Sequence, residues 1–267
     1  MNVATHDLRL ATAHAPMRLN RVLYAYFNEA RYQFVQALRA PAFALPFLLL
    51  PVPLYLFFGV VLVGNAPEVQ AHPELANYAF SGWCCVAVMG PAIFGIGIGI
   101  AMERDANLLK LKRALPLPPG SYLVAKLLMS SAFAALAVVT VTVTALAAGK
   151  LTLSAGALLA MDGVLVLGAL PFCAVGLFVG AHSSGNAAPA FANLVYLPGM
   201  WLSGMFFPLP KVMQPWEVMW PAYHLNQTAL AAAGMRVESN PLVTSAVLVG
   251  ITLLFGGLAI RRLALSG

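Results

Sequence analysis

Charged side chains make up only 9% of this chain, and their densest cluster lies in Glu103–Lys126, ERDANLLKLKRALPLPPGSYLVAK. Leucines recur there at helical spacing beside the charges, which predicts a short amphipathic helix over Glu103–Leu115. Such a helix either binds a soluble partner through its surface or is a solvated loop, and the residues alone leave both interpretations open. The candidate docking residues on it are Glu103, Arg104, Leu108, Leu109, Lys112 and Arg113.

Patterns typical of catalysis or nucleotide binding are missing from the sequence. Gly149-Lys150 lacks the earlier glycine and the following Ser or Thr of a phosphate-binding loop, and no HExxH, GxSxG or zinc-ligand spacing occurs. We therefore predict no catalytic residue, no metal site and no cofactor bound by this chain itself. Cys84, Cys85 and Cys173 lie in apolar runs, where the expected role is that of small buried residues.

The composition indicates a polytopic membrane protein. The chain is 61% hydrophobic with a mean hydropathy of +0.83, whereas soluble domains carry about 25% charged residues. Several apolar runs reach the roughly 20 residues that cross a bilayer as a helix. We predict an all-α membrane protein with six transmembrane helices, at about Ala42–Val63, Asn77–Met102, Ser121–Ala148, Ser154–Gly180, Ala188–Phe207 and Pro241–Ile260.

Three segments outside these runs have patterns of their own. Residues 1–20 are polar without periodicity and are expected to form a flexible cytoplasmic tail. Residues 21–40 have an apolar and a polar side, which favours a helix lying in the membrane interface, with a coiled-coil or docking helix as the alternative. Residues 208–240 combine prolines with Trp and Tyr, which is typical of a re-entrant or interfacial region. Residues 21–262 are expected to form one transmembrane domain.

The distribution of basic residues sets the predicted orientation. Of the 15 lysines and arginines, all but Lys150, Lys211 and Arg236 fall in segments assigned to the inside. The positive-inside rule then places both termini in the cytoplasm of a multi-pass protein of the inner (cytoplasmic) membrane. The same rule accounts for the net charge of +6, so nucleic acid is not an expected partner.

Two features inside the predicted spans, Asp162 and a pair of glycines, indicate contacts with other parts of the structure. Asp162 is a carboxylate in the fourth span, which is unfavourable unless it faces a cavity, another helix or the interface. It is therefore either a pathway or inter-helix residue, or a side chain that extends outwards towards Lys150. Gly95 and Gly99 form a small-xxx-small pair that predicts a close helix contact, with Gly97 on another face.

Three groups of residues, taken in order, resemble the membrane subunit of ABC-2 type ABC exporters over roughly Arg21–Arg262. In sequence they are Glu103-Arg104 with Leu108-Leu109, Leu115-Pro116-Leu117 and Lys126; then Ser203–Leu209, SGMFFPL; then Pro215-Trp216 and Pro221–His224, PAYH. The chain departs from the family at Ala106-Asn107, where Gly-Thr is common after the Glu-Arg pair. The coupling role of this stretch therefore depends on position and amphipathicity as much as on identity.

The resemblance implies specific partners. The permease would form a dimer with a second copy of itself or with a similar chain, and each subunit would bind an ATP-binding cassette subunit that holds ATP and Mg. Residues 103–115 would be the coupling helix seated in that subunit, and residues 208–240 would close the external end of the pathway. Membrane lipid is a further expected partner. The pathway or gating candidates are Asp162, Phe206, Phe207, Tyr223 and His224.

The function implied is that of a permease subunit of an ATP-driven exporter. It would move a hydrophobic or amphiphilic substrate, such as a drug, a lipid or a lipid-linked molecule, out of the cytoplasm or the inner leaflet. ATP hydrolysis is expected in the separate partner, so this chain is not expected to be an enzyme. The alternative is a membrane scaffold that anchors an ATPase without transport of its own. A membrane-embedded enzyme is a third hypothesis, which the shortage of intramembrane titratable residues disfavours.

Overall fold

The computed structural model of the chain describes residues 19–114, 118, 120–206 and 209–265, which fold almost entirely into helices. In chain order these are α1 (Leu19–Leu38), α2 (Pro41–Val63), α3 (Pro67–Ala71), α4 (Leu75–Asp105), α5 (Leu108–Ala114), α6 (Ser121–Ala147), α7 (Ala155–His182), α8 (Ala188–Trp201), α9 (Gln214–Glu217), α10 (Pro221–Ala232) and α11 (Pro241–Leu265). The all-α fold class is confirmed for this part of the chain. Residues 1–18 of the expected tail lie outside it.

Five helices in the described ranges are long and apolar enough to cross a membrane, namely α2, α4, α6, α7 and α11. The expected fifth span corresponds to α8, which has 14 residues. At 1.5 Å per residue it is about 21 Å long, less than the roughly 30 Å of a bilayer's hydrocarbon layer. Phe207, the expected end of that span, lies outside the described residues. The structure therefore supports a multi-pass membrane protein, and the count of six spans stays a prediction.

The prolines of α2 change its helical pitch without ending it. Pro46 lies inside its first segment, and Pro51 begins the second. Because proline has no amide hydrogen to donate, each one removes a bond from the helical ladder. From Tyr55 onwards the backbone forms wide π turns, which close with the Gly64 amide donating to the Gly59 carbonyl at 2.9 Å. The helix expected from this sequence thus remains continuous, with its irregularity in the second half.

The helix α4 is the centre of the bundle. In its most apolar stretch, 83% of the residues are buried, against 17% for α2 and 17% for α11. Phe80, Ile93 and Ile100 of α4 are completely enclosed by the neighbouring helices. Since α2 and α11 leave most of their apolar surface uncovered, they form the periphery of the described chain. The helix α4 therefore runs through the middle of the bundle, although residues at its ends, such as Met102 at 59%, are exposed on one side.

A close contact between α4 and α7 uses glycine, but on a different face from the one predicted. A Cβ atom on Gly180 would lie 2.6 Å from the Gly97 carbonyl oxygen, and one on Gly176 would lie 2.8 Å from the Ile93 oxygen. The predicted pair, Gly95 and Gly99, instead faces side chains. Gly95 makes room for the Phe43 ring and Gly99 for the Lys126 ammonium. The expectation therefore chose the wrong face of α4. The face that makes the close contact is decided by which helix packs against it, and here that helix is α7.

Polar bonds fix the end of the bundle opposite to α5. Ser81 of α4 donates to the Asn226 side chain of α10 at 2.6 Å, and both residues are buried. Asn77 donates to the Thr152 hydroxyl at 2.7 Å, and Tyr78 donates to the Arg236 carbonyl at 2.9 Å. The described residues 209–240 thus include two helices, α9 and α10, and α10 is bonded to α4 through Asn226. Their interfacial or re-entrant role remains a prediction.

Candidate functional site

The candidate site is the end of the bundle where α5 lies, and Glu103 is at its centre. Glu103, in the last turn of α4, accepts hydrogen bonds from Lys126 Nζ at 2.7 Å and from the Tyr122 hydroxyl at 2.6 Å. Lys126 is 5% exposed, so its charge is compensated almost entirely by this carboxylate. The ammonium fits because Gly99 has no side chain there: a Cβ would lie 3.2 Å from Nζ. Glu103 therefore joins α4 to α6.

Arg104, the next residue, joins α4 to the end of α7. Its guanidinium donates to the carbonyl oxygens of Gly180, Ala181 and Ser183, the last of these at 2.7 Å. The Gly180 and Ala181 carbonyls belong to the final turn of α7, which carries the negative end of the helix dipole and has no intrahelical donors left. Ser183 is the residue directly after the helix. A guanidinium is well suited to this position, because it presents several donors in one plane.

Asp105 fixes the turn that follows α7. Its Oδ2 accepts a hydrogen bond from the Gly185 amide at 2.7 Å, in the turn that leads to α8. Arg104 lies 3.8 Å from the same carboxylate, so the two side chains support each other. The consecutive residues Glu103, Arg104 and Asp105 thus connect the end of α4 to three other elements.

The stretch predicted as one helix over 103–115 is divided in the structure. Glu103–Asp105 belongs to α4, and α5 begins only at Leu108. Asn107 separates them with a left-handed backbone (φ 57°), a conformation that asparagine tolerates better than most residues. A single helix was therefore the wrong expectation. Leu115 and the side chain of Arg113 lie outside the part of the chain that the structure describes.

The leucines of α5 do not share one surface. Leu108 is 43% exposed and Leu111 is 61% exposed, whereas Leu109 is half-buried against the core. The expected docking pair Leu108 and Leu109 is therefore split, because Leu109 anchors α5 to the bundle. Leu111, which was not among the site candidates, joins Leu108 on the outward side. An outward apolar pair on a helix held by charged side chains is a surface that a protein partner can bind.

Lys112 connects α5 to α1. Its ammonium donates to Glu29 Oε1 at 2.8 Å and lies 4.4 Å above the centre of the Tyr122 ring. Burial raises the pKa of Glu29, but hydrogen bonds from Lys112 and Gln33, with the charges of Lys112 and Lys126, outweigh it, so the pKa lies below its ordinary value. Glu29 stays ionised at neutral pH. Sequence reasoning missed Glu29 and Tyr122, although Glu29 is the sole acid of α1.

The pathway candidates are not gathered into one site. Asp162 Oδ2 accepts a hydrogen bond from Thr142 at 3.0 Å, while its buried Oδ1 has no partner. Lys150 bonds elsewhere, to the Gly64 carbonyl at 3.1 Å and to the Asn65 side chain at 3.3 Å. The interpretation of Asp162 as extending towards Lys150 is therefore wrong. Its carboxylate connects α7 to α6, which agrees with an inter-helix contact.

The remaining candidates lie at the end opposite to α5 with partners of their own. The Phe206 ring packs on Trp83 with centroids 4.7 Å apart. Tyr223 bonds Ser239 at 2.5 Å, and His224 Nε2 donates to the Val218 carbonyl at 2.8 Å. Burial lowers the pKa of His224, so the ring is neutral and its buried Nδ1 has no partner. Phe207 lies outside the described residues.

Comparison with known proteins agrees with this architecture. The family model described as ABC-2 type transporter matches residues 26–238, which include α4–α8 and most of α1. The chain is also 30% identical over 227 residues to a Bacillus subtilis (strain 168) protein described as "Putative transport permease YvfS", covering 82% of this chain and 90% of that protein. The chain therefore belongs to the ABC-2 type transporter family and is a multi-pass transmembrane permease.

Proposed function

We propose that this permease is the membrane subunit of an ATP-driven exporter, with α5 as the coupling helix. A permease of this family pairs with an ATP-binding cassette subunit, and we assign ATP, Mg and hydrolysis to that partner. The observation that carries the proposal is the outward pair Leu108 and Leu111 on a helix tied to α1 through Lys112. A partner seated on these leucines would move α5 together with the elements bonded to its base.

The charge distribution supports an orientation with α5 in the cytoplasm. The described basic residues at this end include Arg104, Lys110, Lys112 and Lys126, and the last turns of α11 carry Arg261 and Arg262. Lys150 and Arg236 lie at the opposite end. Basic side chains accumulate on the cytoplasmic side of inner-membrane proteins. We therefore assign both termini to the cytoplasm.

A crevice between α2, α4 and α8 supports a hydrophobic or amphiphilic substrate. It encloses about 140 Å³ and is lined by apolar or aromatic side chains, including Phe47, Leu54, Phe94 and Tyr196. Pockets for drug-sized ligands measure about 300–1,000 Å³, so a crevice of this size would hold an apolar chain or ring of a drug, a lipid or a lipid-linked molecule and not the whole molecule. We propose Asp162, Phe206, Phe207, Tyr223 and His224 as pathway or gating residues, in a dimer with a second copy or a similar permease.

The docking assignment is tested with the pair Leu108→Asp and Leu111→Asp in a chain co-expressed with an ATP-binding cassette subunit. Two carboxylates on the outward face should prevent an apolar groove from closing over α5, so we expect the subunit to be lost on purification. The unfolding temperature of the permease should change little, because both side chains face outwards. Val212→Asp, on an exposed residue near α9, is the matched control and should retain the subunit.

Retention of the cassette subunit by the double variant, with unchanged ATP turnover, would contradict the docking role of α5.

A second measurement separates an exporter from a scaffold. The complex is reconstituted in liposomes and ATP turnover is measured with a series of hydrophobic compounds. Stimulation by a compound that also crosses the membrane supports the exporter. Turnover that no compound changes, from an intact complex, supports the scaffold.

A further inference from the structure

We propose that four aromatic rings at the end of the bundle opposite to α5 form a binding site for a quaternary ammonium group. The rings border a cavity of about 20 Å³. Since about 10–15 Å³ of such space holds one water molecule, this cavity admits a single small group, such as one N-methyl group of the ligand. We call the four rings the aromatic cage, and they are Phe58, Trp83, Trp201 and Phe206.

The aromatic cage has a closed inner side and an open outer side. The Trp83 ring of α4 has its centroid 5.8 Å from that of Phe58 and 4.7 Å from that of Phe206. Trp201, at the end of α8, lies 5.8 Å from Phe206. Trp83 is 7% exposed and Trp201 is 52% exposed. A ligand can therefore reach the cavity past Trp201 and contact Trp83 at its inner side.

The lining favours a cation that has no N–H group. Apart from the rings, the described residues around the cavity are Val63 and Ala79, so none of these side chains carries a hydrogen-bond acceptor. An ammonium with N–H donors would lose their hydrogen bonds on entering, which is unfavourable in an enclosed site. The face of an aromatic ring attracts positive charge without a hydrogen bond, and rings of this kind bind quaternary ammonium groups.

A buried acid near the cage has no counter-charge. A Cβ atom on Gly204 would lie 2.7 Å from the carboxyl carbon of Glu217, and Gly204 is two residues before Phe206, at most about 7.6 Å away along the backbone. Glu217 is 8% exposed and forms no ion pair within the described part of the chain. Burial and the charge of Glu238 raise its pKa. A cation in the cage would supply the positive charge that this carboxylate lacks.

The test measures binding of radiolabelled choline to the full chain in a maltoside detergent by equilibrium dialysis. The matched neutral probe is the alcohol in which a tert-butyl group replaces the trimethylammonium group, because it keeps the shape and removes the charge. We expect choline to bind and the alcohol to compete about tenfold more weakly or less, as the loss of a desolvated cation–π contact predicts. Equal competition by the alcohol would overturn the proposal and leave only an apolar cavity.

Substitutions locate the site on the aromatic cage. Trp201→Leu should weaken choline binding by about tenfold, and because Trp201 is half-exposed, the variant should still fold. Trp201→Phe keeps a ring face and should retain most of the affinity. Trp216→Leu, on an exposed tryptophan of α9 outside the cage, is the control and should bind choline like the parent. Glu217→Gln should weaken binding of choline but not of the alcohol. Unchanged choline affinity in Trp201→Leu would overturn the proposal.

A lipid headgroup and a free cation share this chemistry, and a lipid arm separates them. Native mass spectrometry counts bound phosphatidylcholine against phosphatidylethanolamine, whose ammonium carries N–H donors. A preference for phosphatidylcholine that Trp201→Leu removes identifies the ligand as a lipid headgroup, whereas choline binding without that preference identifies a free cation. All of these measurements use the permease without ATP or a cassette subunit. The inference therefore does not rest on the proposed function, and its failure would leave the exporter proposal standing.

Discussion

Lys126 and Glu103 form an ion pair with Nζ and Oε1 2.7 Å apart, where α6 begins and α4 ends. The lysine side chain is 7% exposed and the glutamate side chain is 16% exposed, so water contributes little to the hydration of either charge. A pair this enclosed does not establish extra stability by itself, since removing two charges from water is unfavourable. Its importance is that neither partner can be removed alone without leaving the other uncompensated.

We expect Glu103→Ala to destabilise the protein by about 3 kcal/mol or more, because it leaves the buried Lys126 ammonium without a counter-charge. The measurement is the thermal unfolding temperature in detergent. Lys126→Met in the same chain should restore part of the loss. Glu68→Ala, on an exposed acid of α3, is the control. Equal unfolding temperatures for the Glu103 and Glu68 variants would contradict the structural role of the pair.

The contact between α1 and α5 should be lost in acid. The pKa of Glu29 in the folded protein lies below its ordinary value of 4.5. Its ionised form therefore stabilises the contact above that pH, and the stabilisation is lost as the pH falls through the lowered pKa. Spin labels at Leu23→Cys and Leu111→Cys should give a narrow distance distribution at pH 7 that broadens below pH 4.5.

Glu29→Gln provides the control for this pH dependence. The amide cannot ionise, so the label distances in that variant should be broad at every pH and should not change with acid. The three cysteines of the chain are buried and free, which keeps background labelling low. A distribution in Glu29→Gln that is as narrow as in the parent at pH 7 would show that Lys112 does not hold α5 through this carboxylate.

The contact between α4 and α7 should not tolerate a methyl group. Gly180→Ala places a Cβ 2.6 Å from the Gly97 oxygen, and because that atom belongs to the backbone, one helix must shift. Overpacking of this kind typically costs about 1–3 kcal/mol. Gly163→Ala, in the same helix α7, meets nothing within 4 Å and should leave the unfolding temperature unchanged or raise it slightly. Equal stability of the two variants would contradict the close approach.

Glu217 should destabilise the protein when it ionises. It is 8% exposed, and burial together with the charge of Glu238 raises its pKa, although a hydrogen bond with the Leu209 backbone opposes the shift. A raised pKa means that the folded state favours the protonated form, so the contribution to stability is largest in acid and is lost as the pH rises through the raised pKa.

Glu217→Gln should therefore unfold at a higher temperature than the parent at pH 8, and the difference should vanish towards pH 4 because both side chains are then neutral. Thermal unfolding across this range measures it. The Glu238→Gln protein should also be more stable than the parent at pH 8, but by a smaller amount, since Glu238 is exposed. A Glu217→Gln protein that is less stable than the parent at pH 8 would show that the carboxylate has a favourable partner.

Apolar runs predict the long helices of this protein, because a membrane-spanning helix is specified by its length and its apolar composition and not by particular contacts. The expected first span, Ala42–Val63, corresponds to α2 at Pro41–Val63, and the third, Ser121–Ala148, to α6 at Ser121–Ala147. The short helix α8 marks the limit of this reasoning. Its run is interrupted by Pro198 and ends at Trp201, and composition alone did not give that end.

The sequence located the charge cluster of the candidate site but not the contacts that its side chains make. The charge cluster at Glu103 and Arg104 indicated a surface for a partner, yet Arg104 bonds the last carbonyls of α7. Leu109 was expected outwards and is half-buried, because the turn at Asn107 rotates α5 relative to α4. Glu29 lies 83 positions from Lys112. Only the packing of α1 on α6 brings those two residues together, and no local pattern encodes it.

Arg104 and Asp105, at the end of α4, are hydrogen-bonded to the last turn of α7 and to the turn that follows it. These bonds join the three elements rigidly. Force that a partner subunit applied to α5 would therefore reach α4 and α7 together and not one helix alone. The two helices cannot slide past each other at this end until four hydrogen bonds, to Gly180, Ala181, Ser183 and Gly185, are broken. Whatever displacement the permease makes there, α4 and α7 make it together.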